Sequence, residues 1–126
     1  MAKQLDEELK KAFSQLHEKT EDTTRELKVA DMHIEKLRRI KQRGELTAQE
    51  ITSYPENTRI FAPVGRMFLL SDINNVKAGI DKSVTFIDDK VKTLENKKSY
   101  LQQDLKEFED NIRKMVLQKK NKQASG

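Results

Sequence analysis

The side chains in this sequence that could do chemistry are two histidines and a large set of carboxylates, and their spacing argues against a catalytic use. His17 and His33 stand sixteen positions apart on what reads as one helix, too far to share an ion. Neither has the His-Glu-x-x-His spacing that sets two ligands on one helical face, and there is no Cys to complete a zinc set. They read as coil-surface histidines. Asp88-Asp89 and the group Glu107, Glu109 and Asp110 fall on helical faces among lysines. Nothing suggests the concave pocket in which paired carboxylates act as acid and base. No glycine-rich loop is present to cradle a phosphate. The expectation is a protein that is not an enzyme and needs no metal or cofactor.

The same composition bounds the setting. Without Cys there are no disulfides or thiolate nucleophiles, which suits a reducing compartment. No apolar run approaches the roughly 18 residues of a membrane span, and Met1 to Lys11 lacks the apolar stretch of a signal peptide. The expected location is cytoplasmic. A net charge of +4 and a pI near 9.2 raise the question of nucleic acid. Acids are nearly as numerous as bases, however, 21 against 25, and interleaved with them. The densest basic run, Lys36, Arg38, Arg39, Lys41 and Arg43, sits where a first helix is expected to end, and cations there suit the negative end of the helix dipole. With no extended basic face and no base-stacking aromatics, the run reads as a solvated helix terminus.

What, then, do these residues sit on? Of the 126 residues 35% are hydrophobic and 37% charged, which is thin for a compact globule, so periodicity must decide between disorder and long solvated helices. It decides for helices. Leu5, Leu9, Ala12, Leu16, Thr20, Thr23, Leu27, Ala30, Ile34 and Leu37 recur at steps of three and four, as along a coiled-coil seam. One stutter falls between Leu16 and Thr20. Val76, Ile80, Val84, Ile87, Val91, Leu94, Lys98, Leu101, Leu105, Phe108, Ile112 and Met115 repeat the pattern, with a stutter at Ile80 to Val84 and one charged member, Lys98.

Between the arms, Arg43-Gly44 supplies a helix stop, and Thr47-Ala48-Gln49-Glu50 has the capping-box spacing for a short helix ended by Pro55. If the chain reverses here, Leu27 falls near Val91, Leu16 near Leu101, Leu9 near Phe108, and Thr20 and Thr23 near Lys98. The predicted fold is mainly α: an antiparallel two-helix coiled coil with one central β-hairpin. Its segments are a helix over 1–43, a short helix and hairpin over 44–71, a second helix over 72–118 and a polar tail over 119–126, all in a single domain.

The hairpin is predicted from Thr58 to Ala62 and Arg66 to Leu70, with Pro63-Val64-Gly65 at the turn, where Gly65 supplies a positive φ. Met67 to Leu70 are apolar at four successive positions, so both faces of the second strand call for burial. A lone two-stranded hairpin is marginal in water and leaves its edges unpaired. The coil cannot cover it, because its own seam is already used. Assembly through these strands into a shared sheet or barrel follows, with Ile60, Phe61, Val64, Gly65, Met67, Phe68, Leu69 and Leu70 as the assembly residues.

The order of these features carries a family resemblance. Glu8-Leu9-Lys10-Lys11-Ala12-Phe13 early, Val64-Gly65-Arg66-Met67-Phe68 at the turn, and Lys97-Lys98-Ser99-Tyr100-Leu101 and Glu109-Asp110-Asn111-Ile112-Arg113 late make the chain similar to the β-class subunits of prefoldin in their eukaryotic form. The resemblance spans nearly the whole chain. Pro63 departs from the Gly of the family pattern and would end the first strand early. The resemblance implies a heterohexamer of two α-class and four β-class subunits, whose hairpins form a double β-barrel from which six coiled coils hang. It implies an ATP-independent chaperone, a holdase and co-chaperone active in protein folding. Its coil tips would bind unfolded proteins, such as actin and tubulin chains, and deliver them to the cytosolic group II chaperonin. Implied partners are therefore the other prefoldin subunits, the chaperonin and unfolded clients, with no nucleic acid and no membrane.

Client contacts are expected where the apolar stripe widens at the free end of the arms: Leu5, Leu9 and Phe13 on the first, Ile112, Met115 and Val116 on the second, with Leu117 beside them. Met and Phe suit a promiscuous surface because they repack around unlike partners. The plainer alternative is packing that thickens the end of the coil. Leu16, Leu27, Ile34, Leu37, Val84, Ile87, Val91, Leu94, Leu101, Leu105 and Phe108 are assigned to the seam. Beside the chaperone stands a second functional reading, a structural or tethering coiled coil that oligomerises without holding clients. A basic-zipper DNA-binding protein is a distant third reading, because its basic region would precede the zipper on one continuous helix, which Gly44 and Pro55 are expected to interrupt.

Overall fold

A computed structural model of the chain describes the backbone of residues 2–125 and the side chains of residues 7–122. Among these the elements run α1 (Ala2–Thr52), β1 (Ile60–Val64), β2 (Met67–Ser71) and α2 (Ile73–Ser125). This is the mainly α architecture with one antiparallel hairpin that the apolar periodicity predicts. The chain divides into two compact units, Met1–Asp31 with Glu95–Gly126 and Met32–Leu94.

In the first unit the segments of α1 and α2 pair antiparallel, which the cross-helix ion pairs trace. Glu8 meets Lys119, Lys19 meets Asp104 at 3.0 Å, and Asp31 meets Lys98, so that numbers rise along one helix as they fall along the other. The Lys19 ammonium also lies 4.8 Å from the centre of the Phe108 ring, a cation–π contact. Ala12, Thr23, Ala30 and Ile112 are buried here. Two alanines among four show how closely the helices approach.

The second unit repeats the arrangement. Lys41 of α1 donates to Asp88 of α2 at 2.7 Å, and Ile34, Ile51, Ile73 and Ile87 are buried. Ile51 and Ile73 stand at the last turn of α1 and the first turn of α2, extending the seam to both helix ends. The turns between are closed locally. Ser53 and Tyr54 donate backbone N–H groups to Glu50 and Ile51, Pro55 follows and prevents a further turn, and the Asp72 carbonyl accepts the first helical bond of α2 from Val76.

The predicted stop at Arg43-Gly44 does not occur, because α1 runs through Gly44 to Thr52. Gly44 faces α2: a Cβ placed on it would lie 3.6 Å from Ile80 Cγ2 and 3.9 Å from Val84 Cγ2. Glycine therefore occupies a seam position, where a small residue keeps helical geometry and admits the facing side chains. Thr47, expected as a cap, instead donates its hydroxyl to the Arg43 carbonyl at 2.8 Å, the back-bond of a threonine inside a helix.

The longer α1 also corrects the register. Phe108 lies beside Lys19 and not Leu9, Leu101 shares a groove with Thr23 and Glu26 and not with Leu16, and Lys98 is held by Asp31 and not placed beside Thr20. Extending a helix by about two and a half turns moves the point about which the chain reverses, and every facing pair moves with it.

Two outcomes follow from this packing. Gly44→Ala removes the entropic cost of a mid-helix glycine, and its methyl enters ordinary van der Waals contact, so stability rises by about 0.5–1 kcal/mol. Urea unfolding measures it; a loss would mean that the seam beside Ile80 and Val84 has no room for a methyl group. The second concerns Glu8, whose pKa is lowered first by the hydrogen bond from Lys119 and then by its charge. A carboxylate so depressed stabilises above its unfolded value near 4.5 and loses that contribution as pH falls through the lowered folded value. Thermal melts of the parent and of Lys119→Gln should differ at neutral pH and converge in acid.

Candidate assembly and client-binding sites

The hairpin presents two faces and two edges. Its register pairs Ile60 with Ser71, Phe61 with Leu70, Ala62 with Leu69, Pro63 with Phe68 and Val64 with Met67, leaving Gly65-Arg66 as a two-residue loop. Gly65 has φ +62° and no other residue of positive φ is described, the pattern of a type II′ turn, whose twist matches that of the strands. The turn is thus one residue further along than Pro63-Val64-Gly65, and Pro63 does not end the first strand. In such a hairpin the pair flanking the loop is hydrogen-bonded, so the next pair, Pro63 and Phe68, turns its backbone groups outward. The missing N–H of Pro63 then costs no ladder bond.

Alternation along the strands sets Phe61, Pro63, Phe68 and Leu70 on one face and Ile60, Ala62, Val64, Met67 and Leu69 on the other. Both faces are apolar and both are bare. Phe61, Val64, Met67, Phe68, Leu69 and Leu70 are all exposed, Phe68 to 70%, Gly65 is exposed at the turn, and Ile60 is half-buried. At the outer edge of β2 the N–H and C=O groups of Phe68 and Leu70 point away from β1, able to pair with a further strand. At the outer edge of β1, Pro63 lacks a donor.

The proposed client residues are divided by the structure. Phe13 is 53% exposed, and Leu117 is exposed as well. Leu9, Met115 and Val116 are half-buried. Ile112 is only 7% exposed and sits in the seam, so a contact there would require the helix pair to open. Leu5 lies outside the described side chains. Of the seam residues, Leu16, Leu27, Leu101, Leu105 and Phe108 are half-buried in the first unit. In the second, Ile34 and Ile87 are buried and Leu37, Val84, Val91 and Leu94 half-buried.

Sequence reasoning passed over a set of exposed apolar residues off the seam: Val29, Met32, Ile40, Phe86 and Tyr100. For Val29, Met32, Phe86 and Tyr100 the signal was available, since each is a large apolar residue outside the three-and-four steps of its helix; Ile40, three positions after Leu37, reads as a continuation of the seam. His17 pairs with Glu21 one turn on, at 3.1 Å. Among the described residues no group of three or more His, Cys, Asp or Glu is arranged to hold a metal ion, and no helix is long and apolar enough to cross a membrane.

Comparison with known proteins agrees with this geometry. The prefoldin subunit family model matches residues 14–119. Prefoldin subunit 1 of Danio rerio is 45% identical over 120 residues, covering 95% of this chain and 98% of its own. Its Homo sapiens counterpart is 42% identical over 117 residues, covering 93% and 96%. A probable prefoldin subunit 1 of Caenorhabditis elegans is 31% identical over 112 residues, covering 88% and 95%. Among solved structures the prefoldin beta subunit from Thermococcus strain KS-1 shares the fold, with a TM-score of 0.70 at 18% identity over 86% of this chain and 91% of that one. A family match across most of the chain, relatives above 40% identity and a hairpin set between two long helices lead to one conclusion: this chain belongs to the prefoldin subunit family.

Proposed function

We propose that the chain is a β-class subunit of a heterohexameric, ATP-independent holdase, assembling through its hairpin and holding unfolded proteins at the apolar end of its helix pair. Prefoldin is a chaperone family and not an enzyme family, and its subunits partner one another. The observation that carries the reading is the hairpin, a two-stranded ribbon with bare apolar side chains on both faces and a β2 edge fit for pairing. Such a ribbon is marginal alone, and neighbouring strands supply what it lacks. Phe13 and Leu117 are the apolar surface offered to clients in the first unit. Individually weak contacts of this kind, multiplied over several subunits, hold a large unfolded chain and still release it without nucleotide. Non-native actin and tubulin are the proposed clients, the cytosolic chaperonin is the proposed acceptor, and the proposed location is the cytoplasm.

Assembly is tested with Phe68→Asp, which places an unpaired charge where a neighbouring strand would bury it, at a cost of about 3 kcal/mol or more. The variant should keep its helix content by circular dichroism but fail to enter the complex in size-exclusion chromatography with partner subunits. An unchanged complex would refute the role. Client binding is tested with Phe13→Ser and Leu117→Ser together. In the assembled complex this double variant should protect a denatured client less well, with complex mass and helix content unchanged. The loss should be partial, because other subunits contribute their own contacts. Equal protection across a full concentration series would leave both residues as packing residues and favour the tethering coil.

A further inference from the structure

The basic run Lys36, Arg38, Arg39, Lys41 and Arg43 is not at a helix end. It lies in the body of α1, which continues to Thr52, so the helix dipole gives no reason for it. Its members do different things. Lys41 turns toward α2 and bonds Asp88, while Arg39 is held by Glu35 at 2.7 Å. Lys36 and Arg43 have no carboxylate within ion-pair distance among the described residues.

Those two cations border apolar surface that the seam does not use. Met32, Lys36, Ile40 and Arg43 follow one another at steps of four and three, which sets them in one stripe along α1. Facing it, Phe86 and Lys90 stand one turn apart on α2, with the Lys90 ammonium 5.0 Å from the Phe86 ring centre. Together with Leu37 and Leu94 they line a shallow groove between the helices of the second unit. Phe86 is 60% exposed and Met32 61%, although a large apolar side chain gains nothing by standing in water. The carboxylates nearby are Asp89, which lines the groove with the cations Lys36 and Lys90, and Glu35, already engaged by Arg39. The charge left over is positive.

We propose that this groove is a docking site for an acidic amphipathic helix of a partner protein. The crease between two paired helices accepts a third as ridges accept grooves, and apolar side chains at three-and-four spacing on the incoming helix would meet Met32, Ile40 and Phe86. Its flanking Asp and Glu residues would meet Lys36 and Lys90 in the groove and Arg43 one turn beyond Ile40 on α1. Phosphate would use the cations but gain nothing from exposed Met and Ile, so nucleic acid fits the groove less well. An unfolded client needs no matching charge pattern, which separates this surface from the holdase contacts at Phe13 and Leu117.

The test uses the chain assembled with its partner subunits and two labelled synthetic peptides, amphipathic helices with the same Leu positions, one flanked by Glu and the other by Lys. Fluorescence anisotropy at low salt should show the Glu peptide binding the parent complex and the Lys peptide not. Phe86→Ser should weaken the Glu peptide about tenfold or more, as loss of a central anchor does. Lys36→Glu with Lys90→Glu should shift preference to the Lys peptide, and Phe13→Ser with Leu117→Ser should leave binding unchanged, whatever that pair does to client protection. Equal binding of both peptides by the parent would overturn the proposal without any variant. So would Glu-peptide binding that survives both groove variants. A duplex DNA probe that binds the parent and Phe86→Ser alike, but not the double-Glu variant, would assign the face to nucleic acid and overturn it too.

Discussion

Everything in this protein follows from how little a pair of helices can cover. A helix packed against one partner buries a single narrow stripe, and among the described residues no side chain is wholly enclosed. What burial there is falls along that stripe, on Ala12, Ala30 and Ile112 in one unit and on Ile34, Ile51, Ile73 and Ile87 in the other. A seam this thin has no spare surface. Any apolar residue off the stripe stays in water unless another molecule covers it, and the chain carries such residues on the hairpin, at Phe13 and Leu117, and around Phe86.

The same thinness explains why charge is tolerated at the seam. Lys41 and Lys98 stand at seam positions, but only half-buried, with their stems along the apolar stripe and their ammonium groups on Asp88 and Asp31. Lys41 has its pKa raised, chiefly by the hydrogen bond to Asp88. Exposed pairs of this kind add little stability. Their value lies in register: sliding one helix by a turn would take Lys19 from Asp104 and Lys41 from Asp88 while leaving Leu against Leu. Apolar stripes of leucine and valine are nearly indifferent to such a slip, so the ion pairs discriminate where the seam does not.

That indifference also marks what the sequence could and could not reveal. Two helices, the hairpin and its apolar faces were legible because each rests on a local period, three-and-four for the helices and two for the strands. Register was not, since it depends on where α1 ends, and that turned on one residue. Gly44 was read by its backbone freedom, as a stop, when its smallness at the interface decides its place. Thr47 was misread for the same reason, its hydroxyl having a choice between capping a new helix and bonding the Arg43 carbonyl inside the old one. Pro63 shows the converse. A proline looks like the end of a strand until the two-residue loop fixes which backbone groups face outward, and then it fits. The division of the client residues was legible in part: Ile112 falls on the three-and-four steps of α2 and is buried, whereas Leu117 falls off them and is exposed.

The uncovered surfaces differ in kind, and the difference bears on how long each contact should last. The hairpin concentrates large apolar side chains on both faces beside unsatisfied backbone groups, a combination that resembles the cut face of a core and suits permanent assembly. Phe13 and Leu117 are sparse, each a single large exposed side chain on its own helix, as suits a surface that accepts unlike chains and lets them go. The groove at Phe86 mixes apolar side chains with Lys36 and Lys90, neither of them in an ion pair among the described residues. Apolar area alone would attract any exposed hydrophobic segment, but cations left unpaired favour an acidic one and penalise a basic one, so selectivity there comes from charge. A single helix pair can in this way carry a permanent, a promiscuous and a selective surface, because it leaves so much of its own apolar surface uncovered.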